Sequence, residues 1–454
     1  MFSDCGNIKP MKLKYFASKL VILLAATGCF ANTSAPKSGD IAPITFMKAG
    51  GWCWYQDPRG IIKNGKLVIG GLNGQNGDVK VAVYDLKAGK DLGTVTLHAQ
   101  FERDDHDVPV FFARPDGSLL AVYARHSKEK IHYYRISSPT NYLHWGPERK
   151  FIHNYPEAGN VTYMNLYPMK SEGKLYNFFR GIGFNPSFIT STNFGDTWGE
   201  PTHFIADEVE GRQRPYARYV QRDADTVGVS FTEAHPRDFG NSIYYADFRG
   251  GAFYHADGRK IKDLTAGPLR PSEADRIFIG SGIKTNRQPR LSNPRSAWTA
   301  GIAVDAAGRP HIGYTLYLSN HDHRFRIASW NGSKWVDREV AYAGKCLYPN
   351  ESSYTGLIAF DAADPATVWI STDVAPATGK DLGGKHEIYS ARVEAEDDTT
   401  TIRWQPVTSG SGERNIRPVA VAGEGYKVLL WLRGPWRTFV DYQSDIVGAV
   451  LERP

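Results

Sequence analysis

A chain of 454 residues with 41% hydrophobic and 22% charged residues has the make-up of a folded globular protein and excludes a disordered one. Its formal net charge of +6 is too small to mark a nucleic-acid binder, whose cations gather in a strongly basic patch. Aromatic residues reach 13%, and 45 Gly with 26 Pro suit many short strands joined by tight turns rather than long helices.

The chain opens on a targeting pattern. Met11-Lys12-Leu13-Lys14 is a basic start, and the apolar run from Leu20 to Gly28 is too short to span a bilayer. Met11 reads as the initiator, so residues 1–31 are expected to be an upstream extension plus a signal peptide, cleaved after Ala31. Residues 32–454 are then one catalytic domain, secreted or periplasmic. A lipidated Cys29 is the weaker alternative, because Ala26 stands where a lipobox has Leu. The segment carries Asp4 against Lys9, Lys12, Lys14 and Lys19, so its loss leaves a mature charge of about +3, compatible with an anionic glycan. Of four cysteines only Cys53 and Cys346 lie beyond it, which is no disulfide framework.

From there a repeat organises the chain. A turn, often with Gly, precedes an apolar strand that ends in polar residues. The copies begin at Asn64-Gly65, Asp116-Gly117, Glu172-Gly173, Asp223, Ala307-Gly308, Asp364-Pro365 and Glu424-Gly425. Most are followed by a second strand, among them VKVAVYDL, KIHYYRIS, PSFITSTN, SIYYADF, RFRIASW, HEIYSARV and SDIVGAVL. Gly65 to Gly117 is 52 residues and Gly117 to Gly173 is 56, close to the length of a propeller blade. A lone four-stranded sheet cannot bury both faces, whereas radial stacking buries each against the next. The expected fold is therefore all-β, a seven-bladed β-propeller with antiparallel four-stranded blades. The longer interval holding Lys260–Ser296 is read as an excursion over one face.

Ser191-Thr192-Asn193-Phe194-Gly195-Asp196-Thr197-Trp198 fits S-x-N/D-x-G-x-T-W, the Asp-box hairpin of sialidase-like propellers. Its Gly permits a positive-φ turn and its Trp is expected to pack between blades, a structural role without catalytic content. Asn331-Gly332-Ser333-Lys334-Trp335 is a degenerate second copy.

No P-loop, nucleophile elbow, HExxH helix or CxxC pair is present, so chemistry must come from polar residues at strand ends. Asp104-Asp105-His106-Asp107 precedes the apolar Val110-Phe111-Phe112, and His126 ends LLAVYARH. A hairpin turning at Asp116-Gly117 brings the two histidines to the same end of adjacent strands. The next hairpin, turning at Glu172-Gly173, does the same for Tyr163 and Arg180, with Asn165 beside Tyr163. Singly, each residue has a bland reading: a hydrogen-bonded core histidine, an interblade aromatic contact, an interblade salt bridge. Together they suit β-elimination at a uronic acid. A guanidinium grips the carboxylate and stabilises the enolate-like intermediate, a base removes the C5 proton, and an acid protonates the leaving oxygen. Arg103, Arg125, Arg212, Arg214 and Arg218 fall in the same half of the chain.

The runs DDHDVPVFFARPDGSLLAVYARH, VTYMNLYPMKSEGKLYNFFRG, RQRPYARYV and FTEAHPRDFGNSIYYADFRG, with the Asp box between them, resemble the BNR-repeat propellers that include ulvan lyases of polysaccharide lyase families 24 and 25. The resemblance covers most of the mature chain. It implies a lyase of sulfated rhamnose–uronate polymer that leaves a 4,5-unsaturated uronate. It places the paired histidines at His106 and His126, the catalytic tyrosine at Tyr163 and the carboxylate-neutralising arginine at Arg180, leaving the base and acid among them open. Asp105, Asn165, Arg125, Arg214 and Tyr216 are expected to bind substrate.

The chemistry is expected to need no cofactor. Relatives of this kind are expected to hold one structural metal ion, and His235, His323 and Cys346, with His321 nearby, would suit zinc. Calcium at Asp322 or at Asp104–Asp107 is the alternative. The partner is expected to be an anionic polysaccharide met by a monomer, with no nucleic acid and no membrane span. Three rivals stand: a sialidase-type hydrolase, which calls for an arginine triad, a Tyr/Glu nucleophile pair and several Asp boxes on six blades; a different uronate lyase, acting on pectic or glucuronan chains; and a non-catalytic glycan-binding propeller.

Overall fold

Alternation of apolar and polar residues between turn signals produces strands almost throughout. The computed structural model describes residues 42–209, 214–284, 295–348, 351, 354–394 and 399–454. The expected signal segment, with Cys29, and Arg212 lie outside the described residues. Seven antiparallel sheets follow one another around a ring as a seven-bladed β-propeller. Blade 1 comprises Gly60–Lys63, Lys66–Asn73, Val79–Asp85 and Lys90–His98, and blade 2 comprises Val110–Ala113, Leu119–Tyr123, Ile131–Ile136 and Arg149–Ile152. Blade 3 is Thr162–Met169, Lys174–Arg180, Pro186–Ser191 and Thr202–His203. Blades 4, 5 and 6 start at Ala217–Asp223, Ser296–Val304 and Ile358–Phe360. Blade 7 takes Asn415–Gly423, Tyr426–Arg433 and Asp445–Glu452 and is completed by Ile44–Met47 from the other end of the chain.

Each of the seven repeat strands is the second strand of its blade, and each following strand is the third. The excursion expected over 260–296 is different in kind. Lys260–Asp263 extends the outer edge of blade 4, and Asp275–Phe278 pairs with Ile243–Arg249, so this stretch thickens the blade into six strands. Residues 285–294 of it lie outside the described part.

What holds the ring is the burial of facing sheets. One apolar cluster draws on blades 1 and 2 (Val68, Val81, Phe111, Tyr123), another on blades 2 and 3 (Val110, Leu120, Leu166, Phe179), another on blades 3 and 4 (Phe178, Phe188, Tyr219, Phe248). Burying a large apolar side chain in such a seam is worth about 1.5–3 kcal/mol. Turn chemistry fits the hairpins: Asn64 and Gly65 both have positive φ, 54° and 68°, the signature of a type I′ turn.

The Asp box staples blade 3 to blade 2. Ser191 Oγ accepts from the Gly195 N–H at 2.8 Å, and Asn193 Oδ1 accepts from the Thr197 N–H at 2.9 Å. Gly195 sits at φ 93°, and a Cβ there would lie 2.4 Å from the Leu120 side chain, so any other residue would be strained and would push Leu120 aside. Trp198 meets His132 and Tyr134 of blade 2 edge-on, while Asp196 pairs with Arg114 and Arg149. The second copy repeats this: Trp335 of blade 5 packs edge-on against Tyr245 of blade 4 and donates to Asp275 at 3.2 Å.

No helix among the described residues is long and apolar enough to cross a membrane.

Candidate functional site

The first strands of the blades line the axis, and backbone irregularities at their starts aim side chains inward. In blade 3 the register slips by one residue between Thr162 and Asn165, leaving Tyr163 at φ 64° in the bulge. Blade 7 repeats the device between Ile416 and Val419, with Arg417 at φ 54°. A bulge re-aims a side chain, and a bulky residue held in the left-handed region costs about 1–3 kcal/mol. Such strain marks positions where direction matters more than backbone comfort.

Tyr163 so aimed, together with His106, His126 and Arg180, lines a cavity of about 270 Å³ at this end of the ring. His106 comes from the single helical turn Asp105–Asp107 that enters blade 2, and His126 lies just past Leu119–Tyr123. Their rings stack at 4.0 Å and 19°. Between them lies Asp104, which accepts from His106 Nδ1 at 2.5 Å through one oxygen and from His126 Nδ1 at 2.9 Å through the other. Both Nδ1 atoms are occupied, so the Nε2 of His126 is turned toward Arg180, 3.5 Å from its guanidinium. Arg180 also donates to Tyr216 Oη at 3.0 Å and Ser127 Oγ at 2.9 Å, and its guanidinium lies 4.8 Å from the centre of the Tyr163 ring. It has no carboxylate at ion-pair distance among the described residues.

The electrostatics divide the titratable groups. Burial, the neighbouring His106 and the Arg180 charge push His126 down to about 4 against the pull of Asp104, so His126 is a neutral imidazole at neutral pH. Burial works against protonation of His106 too, but there Cys53 and Asp104 outweigh it and raise its pKa. Burial drives Tyr163 well above the ordinary phenol value, reinforced by Tyr216 and only partly offset by Arg180, so it keeps its proton. Burial opposes ionisation of Asp104, yet the two histidines hold its pKa well below the usual range. The site thus combines a neutral imidazole, a protonated phenol and a cation without a carboxylate partner among the described residues.

Of the residues expected to bind substrate, Arg214 and Tyr216 line the cavity, Arg214 being tied to Gly183 O at 2.8 Å and to Asp207 at 3.2 Å. The other three do not. Asp105 is fully buried below the site, paired with Arg417 at 2.5 Å and Trp436 Nε1 at 3.0 Å. Asn165 is 1% exposed and spends its amide on the backbone, donating to Tyr55 O at 2.9 Å and Tyr163 O at 2.7 Å. Arg125 stacks on Phe101, 5.0 Å from the ring centre, facing away from the cavity residues. Of the three carboxylates around His106, Asp104 holds Nδ1 at 2.5 Å and Asp105 lies 3.3 Å from the same nitrogen, whereas burial and the acidic neighbours Asp104 and Glu102 raise Asp107.

The proposed metal set does not assemble. His235 lies in the cavity wall, 3.2 Å from Glu351 and packed on Tyr216 and Trp298. His323 is buried in blade 5 with Nδ1 3.2 Å from Gly344 O, and Cys346 is a free thiol, as is Cys53. Among the described residues, donor atoms converge only in Cys53–Asp105–His106 and Asp104–His106–His126. In both, the carboxylates are already bound by Arg417 or by the imidazoles. Asp322 is paired with Arg324 at 2.6 Å and belongs to no converging donor group among the described residues. The residues present do not fit the expected ion.

The remaining wall was not apparent from the sequence. Tyr55, Trp298, Tyr354 and Phe439 supply an apolar lining from distant blades, and Arg237 with Glu351 faces His235. The run TEAHPRD, with a cation two residues after the histidine, was the available signal for Arg237.

The model of the "BNR repeat-containing family member" group matches residues 53–343. No curated protein sequence matches significantly. Among solved structures, a PL25 ulvan lyase, described as a new family of polysaccharide lyase, is similar over 91% of this chain and 98% of its own, with a TM-score of 0.64 and 16% identity. The same values hold for that enzyme bound to -[GlcA(1-4)Rha3S]-. Polysaccharide lyase Uly1 is similar over 92% of this chain and 94% of its own, with a TM-score of 0.57 and 10% identity. These likenesses establish the ring; the family match, spanning more than half of the chain, establishes kinship. The chain belongs to the BNR repeat-containing family.

Proposed function

We propose that this protein is an exported polysaccharide lyase that cuts a sulfated, uronate-containing polymer of the ulvan type by β-elimination. The observation that carries the reading is Arg180, a half-buried guanidinium without a carboxylate partner among the described residues, set 3.5 Å from Nε2 of the neutral His126. An uncompensated cation in a cavity calls for an anion. A uronate carboxylate on Arg180 puts C5, the carbon that bears the carboxylate, beside that nitrogen.

The steps follow from the protonation states. His126 Nε2 takes the C5 proton while its Nδ1–H stays on Asp104, which stabilises the imidazolium that forms. Arg180 stabilises the negative charge that builds on the carboxylate. The electrons form the C4–C5 double bond as the C4–O4 bond breaks, and Tyr163 delivers its proton to the departing oxygen. His106, stacked on His126, shares Asp104 and holds it between the two rings. Arg214 and Tyr216 extend the polar wall toward neighbouring sugars. No step needs a metal ion. The fold likeness to ulvan lyases, one of them bound to a glucuronate–sulfated-rhamnose unit, supports the choice of substrate.

The test is a screen of anionic polysaccharides, ulvan first, read by absorbance of the unsaturated uronate. A lyase gives a rise. Reducing ends released without that absorbance would make the protein a hydrolase, and binding without either product would make it a lectin; both would end the proposal.

A further inference from the structure

The segment from Trp52 to Pro58 threads the axis of the ring and divides it. Trp52, Cys53, Trp54, Tyr55 and Gln56 are each at most 2% exposed, and Trp54 is the one residue that lines a cavity on either side. The second cavity, of about 330 Å³, opens toward the far ends of the first strands and shares no charged residue with the site above. Its charged groups are Asp57, Arg59 and Arg218. Asp57 serves both cations: one oxygen takes Arg59 Nε at 3.2 Å, the other takes Arg218 at 2.6 Å. The remaining donors go largely to backbone carbonyls, Arg59 to Cys53 O at 2.6 Å and Arg218 to Trp54 O. Arg218 Nε is buried and finds no acceptor among the described residues. Two guanidiniums, only 5% and 7% exposed, thus share one carboxylate and leave a single positive charge inside the protein.

A buried charge of this kind is costly unless something neutralises it. The rest of the wall, with Ile302, Ile358 and Phe360, is apolar. An inorganic anion would satisfy the charge but leave that wall against water. We propose that this lower cavity is a second binding site, for a small monocarboxylate with an apolar body, whose carboxylate takes the guanidinium pair and whose body fills the space against blades 5 and 6. The site is independent of the reaction assigned to the upper cavity.

Benzoate is the probe, titrated calorimetrically into the whole protein up to millimolar concentration. One saturable site is expected, weakened at least about tenfold by Arg218→Gln, since a charge-assisted bond is lost. Val304→Trp, which fills the cavity from its rim without touching the ion cluster, is expected to weaken it similarly and keeps the test open if the arginine variant fails to fold. Arg180→Ala, which removes the free cation above, is expected to leave binding unchanged. No saturable binding to the wild-type protein would overturn the proposal. So would loss of binding in Arg180→Ala, equal binding in Val304→Trp, or sulfate competing as well as benzoate.

Discussion

Asp104 is the group on which both imidazoles depend, and replacing it with Asn tests the proposed base directly. The carboxylate is 3% exposed and accepts one Nδ1–H from each ring, at 2.5 and 2.9 Å. Asn keeps the shape but offers one acceptor oxygen and one NH₂ donor. One ring must then meet an N–H with a nitrogen lone pair, which moves its own proton to Nε2. If that ring is His126, the base facing Arg180 is lost. Two charge-assisted bonds at about 1.5–3 kcal/mol each set the scale, and about 3–5 kcal/mol at the transition state corresponds to roughly 10²–10⁴-fold in rate. The same substitution behind the histidine of a serine protease, a well-studied precedent, falls at the upper end of this range. The assay is the initial rate of unsaturated-uronate formation from ulvan, with circular dichroism to establish that the variant folds. A folded Asp104→Asn protein within threefold of the wild-type rate would refute the assignment of His126 as an Asp104-oriented base.

Arg180→Ala is expected to lower the rate by about 3 kcal/mol or more, through lost charge stabilisation at the transition state, with the fold intact by circular dichroism. The pH–rate profile is expected to show an acid limb near 4: His126 must be neutral to accept a proton, so activity holds above its pKa of about 4 and falls as pH drops through it. An acid limb near the ordinary histidine value would instead mean that His126 is not the titrating base. Asp105→Asn is expected to cost about 3–5 kcal/mol of stability in denaturant unfolding, because it strands Arg417, fully buried with its partner. Trp198→Ala is expected to lower stability by about 2 kcal/mol, roughly half the cost of a fully buried Trp, while leaving the rate unchanged.

The blade strands were legible because their signal is local. A turn residue followed by an apolar run marks the second strand of every blade, from Lys66–Asn73 to Tyr426–Arg433. Hairpin geometry likewise carries His106 to His126 and Tyr163 to Arg180, since each pair belongs to two strands joined by one turn. What could not be read is whatever crosses the axis. Residue type alone groups His235 with His323 and Cys346, but the ring turns it toward Tyr216 and Glu351. Asp105 and Asn165 lie close to His106 and Tyr163 in sequence, yet the helical turn Asp105–Asp107 sends Asp105 into Arg417, and the register slip after Thr162 sends Asn165 onto the Tyr55 backbone. Arg125, one residue before His126 and past the end of its strand, stacks on Phe101. The reach of Phe439 into the site depends on a short hairpin of blade 7, Trp436–Thr438 with Asp441–Tyr442, whose position only ring closure determines.

The way blade 7 is completed has a mechanical consequence. Ile44 pairs with Gly448 and Thr45 with Val447, and Ser444 Oγ donates to the carbonyl of Gly50, 394 positions away, at 2.9 Å. Joining ends so far apart costs about 5 kcal/mol of chain entropy by the logarithmic rule, recovered only when the final sheet zips. This seam is therefore the natural latch of the barrel-like ring: the last junction to form during folding and the first to breathe. Amide protons along Ile44–Met47 should exchange ahead of those in blades 2 and 3. Because Phe439 and Tyr55, which flank the two halves of the latch in the chain, both line the upper cavity, loosening it would also spread that cavity's walls.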